Sequence, residues 1–250
     1  MKTLISFFAF LIFSFKVYSQ IGAKNIKDGK DVITAMYTAY AENKWYKYFT
    51  FSQETHSYKD GKEEKMEIWH EAGSFPGKLL IKFNTKDSKN GILFSDHKIN
   101  VFTEGKEPVS KPMIHELLVA AFDIYFLKPE QTIHIFDSLG YDLKKVREDI
   151  FEGRKVYVVG AEKKDSTSKQ FWIDAERLYL HRIIYARRNS VSDCVFSDYE
   201  KNGKYWVAKL VTFKTNGKLD VIEKYFDIKF PKKLNDDLFD PKKFNEVKLD

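Results

Sequence analysis

Hydrophobic and polar residues alternate with a period of two over two long stretches of this chain, and between them the period lengthens once to that of a helix. About five segments of strand character run from Trp45 to Thr103 and about six from Phe151 to Ile228. The interruption, Met113 to Leu139, carries Met113, Ile114, Leu117, Leu118, Ala121, Phe122, Ile124, Tyr125, Phe126 and Leu127 with few charges among them. A helix this apolar around most of its circumference cannot face water. Pro129 separates it from a second piece, Glu130 to Leu139, that Gly140 ends. A leading helix is expected from about Asp31 to Asn43, capped by Asp28 or Asp31, because Val32, Ala35, Met36, Ala39 and Tyr40 recur at i, i+3, i+4, i+7 and i+8. The class predicted is α+β, mainly antiparallel β: one large sheet of about ten to eleven strands with a leading helix and an apolar helical flap.

The turns support this reading. Lys201-Asn202-Gly203-Lys204 and Thr215-Asn216-Gly217-Lys218 carry the Asn-Gly pair that supplies two positive φ values in a type I′ hairpin, and Lys59-Asp60-Gly61-Lys62 is a similar turn. Within the strand from Glu64 to Ala72, Met66, Ile68, His70 and Ala72 lie on one side and Glu67, Trp69 and Glu71 on the other. Leu79, Ile81 and Phe83 alternate with Leu80, Lys82 and Asn84 in the next strand. Several strands are apolar on both faces, as with Tyr205, Val207 and Val211 against Trp206, Ala208 and Leu210. A sheet covered on both sides, or rolled around a cavity, accounts for that.

The beginning of the chain reads as an address. Met1 and Lys2 give a basic start, Leu4 to Phe15 is an apolar core, and Val17 and Ser19 are small enough for the pockets of a signal peptidase. Cleavage is expected after Ser19, with residues 1–19 as signal peptide and 20–250 as a single domain. The 12 residues from Leu4 to Phe15 fall short of the roughly 20 that cross a bilayer, so no stable membrane anchor is expected. Removing Lys2 and Lys16 lowers the net charge from +6 to +4. The doublets Lys144-Lys145, Lys163-Lys164, Arg187-Arg188, Lys232-Lys233 and Lys242-Lys243 are scattered among acids, which argues against a nucleic-acid partner. Cys194 is the one cysteine, so no internal disulfide forms and stability rests on apolar burial.

Catalytic and metal chemistry find little support. His70 with Glu67 and Glu71, His134 with Asp137, and His115-Glu116 are the local donor groups, and none has the spacing of a ligand set, so neither a metal nor a cofactor is expected. No Gly-x-Ser-x-Gly elbow occurs, and Asp193 beside Cys194 opposes a thiolate. Gly22 to Lys30 puts six residues between its glycines and no Ser or Thr after Lys30, which is no phosphate loop. What stands out is aromatic content, 16% of the chain, concentrated in the strands and the flap. Burying about ten methylenes of a lipid chain gains about 8 kcal/mol, so an aromatic-lined pocket binds such a ligand with few polar contacts.

A set of short motifs resembles one family, the periplasmic lipoprotein-sorting carriers, LolA and its relatives. Phe51-Ser52-Gln53 stands where the family follows its leading helix with a strand bearing Phe-x-Gln, and Asp60-Gly61 and Ile68-Trp69 match the next turn and strand. Ser74 to Phe83, Ser95-Asp96, Val101-Phe102 and Pro112 to Leu139 are similar, in order, to its Pro-bearing bend, Ser-Asp bend, aromatic strand and helical insertion. Lys169-Gln170-Phe171-Trp172-Ile173-Asp174, His181 to Tyr185 and Phe239-Asp240-Pro241 are similar to its late hairpin and C-terminal segment. The resemblance covers most of residues 29 to 245. It implies an unclosed antiparallel β half-barrel lidded by helices, and an activity of sequestering acyl chains. It departs at the end of the second strand, where lipoprotein carriers place an Arg-Pro that helps hold the lid and this chain reads His70-Glu71-Ala72-Gly73-Ser74-Phe75-Pro76.

The leading expectation is therefore an exported, periplasmic or secreted carrier, not an enzyme, for a hydrophobic ligand or lipoprotein acyl chains. Met113, Leu117, Ala121 and Tyr125 are the candidate lid residues, and Phe49, Phe51, Trp69, Phe83 and Trp172 the candidates from the sheet. The alternative is an envelope protein interaction module of the same fold with a filled core. A hydrolase using His134 with Asp137 ranks last.

Overall fold

The computed structural model describes residues 25–250 apart from Asn43 and Arg188. The signal peptide expected at residues 1–19 lies outside the described residues. Helix α1 (Gly29–Tyr40) opens the structure, with Asp28 as its cap: Oδ1 accepts from the amides of Lys30 and Asp31 at 2.9 and 3.0 Å. Its buried face, Val32, Ile33, Met36 and Tyr40, follows the helical spacing of the sequence. Strands β1 (Tyr48–Lys59), β2 (Lys62–Ser74), β3 (Lys78–Phe83), β4 (Gly91–Ser95), β5 (Lys98–Phe102) and β6 (Val109–Pro112) come next. After the helical segment follow β7 (Val146–Phe151), β8 (Arg154–Val159), β9 (Gln170–Asp174), β10 (Leu180–Arg187), β11 (Ser190–Asn202), β12 (Tyr205–Thr215) and β13 (Lys218–Lys229).

All thirteen strands belong to one open antiparallel sheet in the order β6-β5-β4-β3-β2-β1-β13-β12-β11-β10-β9-β8-β7. Each meander pairs neighbours in sequence, and the two are sewn together by β1 against β13, with Gln53 opposite Tyr225 and Thr55 opposite Glu223. The sheet has two strands more than the alternation predicts, and both are its edges. β6 is four exposed residues ending in Pro112, and β7 spends Arg147, Glu148 and Asp149 on alternating faces. Proline and charge are how exposed edges avoid pairing with other chains, and the same residues erase the hydrophobic period from the sequence.

The segment between β6 and β7 crosses the inner face of the sheet from one edge to the other. It is broken into α2 (Glu116–Ala121), a 3₁₀ turn at Asp123–Tyr125, and α3 (Pro129–Ser138). Met113 to His115 stay extended, and His115 caps α2 by accepting the Leu118 amide on Nδ1 at 3.2 Å. The main core lies between this segment with α1 and the inner face, where Phe49, Phe171, Ile173 and Ile183 meet Val119, Tyr125 and Phe136. On the outer face a second cluster, Ala72, Leu80, Leu93 and Phe102, is covered by Leu238, Phe239, Phe244 and Leu249 of the C-terminal segment. A third, Val156, Val158 and Trp172 with Phe151, sits on the outer face at the other end. Along β2 to β5 and along β8 and β9, apolar residues on both sides are thus explained by cover on both sides, whereas Tyr205 to Ala208 of β12 all join the main core. Among the described residues no helix is long and apolar enough to cross a membrane.

Candidate ligand cavity

Beneath α2 the sheet and the helical segment part to leave a cavity of about 240 Å³. Phe49 and Phe51 of β1, Trp69 of β2, Leu79 and Ile81 of β3 and Phe94 of β4 form one wall, Phe213 and Tyr225 another, and Leu117, Leu118 and Phe122 the lid. A second cavity of about 260 Å³ lies on the far side of α2, lined by Met113, Val119, Leu127 and Ile135 with Ser95 and Asp123. Phe94, His115 and Leu118 border both, and the Phe94 and His115 rings meet edge to face at 4.6 Å, forming the partition.

Of the sequence candidates, Phe49, Phe51, Trp69 and Leu117 meet at the first cavity, and Met113 lines the second. Ala121 faces a void of about 20 Å³ beside Trp45, Tyr46 and Phe49. Phe83 lies beside Trp69, ring centroids 4.8 Å apart, and lines neither cavity. Tyr125 is core: its ring centroid is 4.2 Å from that of Trp45, and its hydroxyl donates to the Leu178 carbonyl at 3.1 Å. Trp172 requires a correction, since it stands on the outer face with Val156 and Val158, under the Arg182 guanidinium at 4.8 Å. In a run apolar on both sides one residue of register decides the face, and Phe171 and Ile173 take the inner one.

The bend after β2, where the Arg-Pro of lipoprotein carriers is missing, is nevertheless tied to the lid. The Phe75 ring stacks on Phe122 at 4.5 Å, and the Gly77 amide donates to Asp123 Oδ1 at 2.8 Å. Burial pushes the Asp123 carboxyl up to about 7 against the opposing pull of that hydrogen bond.

Composition alone did not single out the acids of the first cavity. Glu71 and Glu223 both line it. Tyr225 Oη donates to Glu223 Oε2 at 3.1 Å, and Gln53 also bonds this carboxylate. Burial raises Glu223 to about 7 and, together with the repulsion of Glu223, holds Glu71 well above the usual carboxylate range. The signal was present in the alternation, since Glu71 shares the side of Trp69 and must face whatever Trp69 faces.

The other donor groups are occupied structurally. His70 Nδ1 lies 2.7 Å from Ser52 Oγ, and Glu67 pairs with Lys65 at 2.7 Å. Glu116 accepts from Tyr141 Oη at 2.7 Å and from Lys169 Nζ at 3.0 Å, while His134 and Asp137 are exposed on α3. Cys194 is buried, which keeps its thiol protonated. Among the described residues no three His, Cys, Asp or Glu side chains gather as a metal site would need.

The architecture, an open antiparallel sheet with helices laid across its inner face, is the LolA-like fold. A LolA superfamily protein from Nitrosomonas europaea matches at TM-score 0.54 and 10% identity, covering 84% of this chain and 96% of its own. A DUF1329 family protein from Desulfovibrio piger matches at TM-score 0.57 and 15% identity, covering 86% and 97%. A domain from Vibrio parahaemolyticus, named for outer membrane lipoprotein sorting, matches at TM-score 0.53 and 16% identity, covering 86% and 95%. No protein-family model matches the sequence, and no curated protein does.

Proposed function

We propose that the chain is an exported periplasmic carrier that holds a lipid, or the acyl chains of a lipidated protein, between its sheet and its helical lid, without catalysing a reaction. The observation that carries this reading is the pair of cavities under α2, walled by Phe49, Phe51, Trp69 and Leu117 on one side and by Met113, Val119 and Leu127 on the other. Each is smaller than the roughly 300 to 1,000 Å³ of a typical small-molecule site, and the two joined fall within it. Rotation of His115 away from Phe94 would join them into a channel long enough for an extended chain. Burial of methylenes supplies the affinity at about 0.8 kcal/mol each, and the bend at Phe75 to Gly77 fixes the lid.

The signal-peptide pattern expected at residues 1–19 supports export, and the sorting-domain neighbour supports a periplasmic setting. Native mass spectrometry of the purified chain, with solvent extraction, tests the proposal: a bound amphiphile is expected, and a fluorescent acyl probe should bind the emptied protein. Absence of both would overturn it.

A further inference from the structure

Glu71 is the least ordinary residue of the first cavity. It is only 6% exposed, it lines the apolar wall opposite Phe51, and its carboxyl has no hydrogen-bond partner among the described residues. A buried polar group left without a partner costs free energy comparable to a lost hydrogen bond, more if charged, so such a group is commonly completed by something the protein binds. Glu223 lines the same space, and among the described residues no lysine or arginine does. Aromatic faces surround the two acids: Phe51 and Tyr225 lie with centroids 4.4 Å apart, and Trp69 stands beside them.

Resting on the carrier reading, we propose that Glu71, assisted by Glu223, anchors the polar end of the ligand, and that the ligand is an amphiphile whose head is a primary ammonium on an apolar chain. Its three N–H donors serve Glu71, which otherwise faces apolar side chains, and the lone pairs of Glu223 left over by Tyr225 and Gln53, and aromatic faces attract the same cation. A fatty acid would set a third carboxylate beside two acids, with no cation among the described residues of the wall to offset it. A quaternary ammonium has the charge and lacks the donors. Among the described residues, the titratable groups around the site are Glu71 of β2, Glu223 and Tyr225 of β13, Tyr185 of β10 and His115 at the start of α2. Because burial raises both carboxyls, and Glu223 further raises Glu71, an ammonium arriving near neutrality should displace a proton.

The test is calorimetry on the full chain at neutral pH with dodecylamine, dodecanol and dodecanoate, each in buffers of different ionisation enthalpy. Dodecylamine should bind about tenfold or more tighter than dodecanoate, with dodecanol between, and dodecylamine should release a proton while dodecanol does not. In Glu71→Gln and in Glu223→Gln the preference of amine over alcohol should shrink to about twofold, with dodecanol binding retained as evidence of an intact cavity. Equal or tighter binding of dodecanoate overturns the anchor and leaves the carrier reading standing, as does an amine preference unchanged in both variants. Failure of all three chains to bind overturns both.

Discussion

Lys82 and Phe244 lock the C-terminal segment to the outer face of the sheet. The ammonium of this fully buried lysine sits 3.7 Å over the Phe244 ring and donates to the Phe244 carbonyl and, at 2.9 Å, to that of Ser88. The Phe244 ring in turn stacks on Phe102 at 3.7 Å. Replacement Lys82→Met keeps the stem and strands both carbonyls. A loss of about 1 to 3 kcal/mol is expected in urea unfolding, with hydrogen exchange at residues 244 to 249 accelerating before that of the strands.

Asp123 gives the lid a pH dependence whose sign is fixed. Its folded value of about 7 lies above the ordinary 3.8, so its contribution is fully present below about 3.8 and is lost as pH rises through about 7. Stability should therefore fall between about pH 4 and about pH 7 and level off above that, Glu223 acting in the same direction. Asp123→Asn keeps an acceptor for the Gly77 amide and removes the charge. It should flatten the profile and raise stability at the alkaline end by about 1 to 3 kcal/mol, read from urea midpoints at the two pH values.

The first cavity can be closed by a side chain. Leu117→Trp adds bulk into about 240 Å³ of space from the lid side. Overpacking typically costs about 1 to 3 kcal/mol, and the cavity takes up part of the added bulk, so the variant should fold. Its affinity for an acyl probe should drop about tenfold or more by fluorescence titration, and an unchanged affinity would place the chain elsewhere.

Asp174 organises the turn between β9 and β10. Wholly buried, it accepts from Arg154, from His181 Nε2 at 3.2 Å, and from the amides of Glu176 and Arg177 at 3.0 and 2.7 Å. Those bonds outweigh burial and hold its carboxyl below the usual range, so its stabilising part persists above about 3.8 and fades as pH falls through the folded value. Asp174→Ala strips His181 of its carboxylate, leaves Arg154 with Glu176 alone and frees the turn amides of Glu176 and Arg177, and a loss of about 3 to 5 kcal/mol is expected in thermal or urea unfolding.

The sequence disclosed the architecture wherever local chemistry decides it. Asn216-Gly217 closes its hairpin with both residues in positive φ as expected, whereas the other hairpin turns one residue later, at Gly203-Lys204, with Asn202 still paired to Tyr205, and the apolar period from Leu117 to Tyr125 marks the segment laid over the sheet. Two kinds of information were not local. Strands β6 and β7 are edges, where negative selection against aggregation suppresses the hydrophobic alternation. Which face curves inward depends on what packs there: Phe171 faces inward because Phe136 of α3, distant in the chain, stacks on it at 4.8 Å, and Trp172 is thereby turned outward. Glu71 and Glu223 lie far apart in the chain and meet one cavity only because β1 stands between their strands.

The pairing of β1 with β13 carries a kinetic consequence. Six strands can zip up early as a local meander, yet the inner rim of that half, including Gln53 and Thr55, stays without a ladder partner until residues near 225 are available. Closing so long a loop delays the final step, because entropy is spent before the contacts form. Until then a bare hydrogen-bonding border and an aromatic surface coexist in one intermediate, the state most prone to join another chain. A nascent polypeptide of this design benefits from an escort that masks β1 until its last strand arrives.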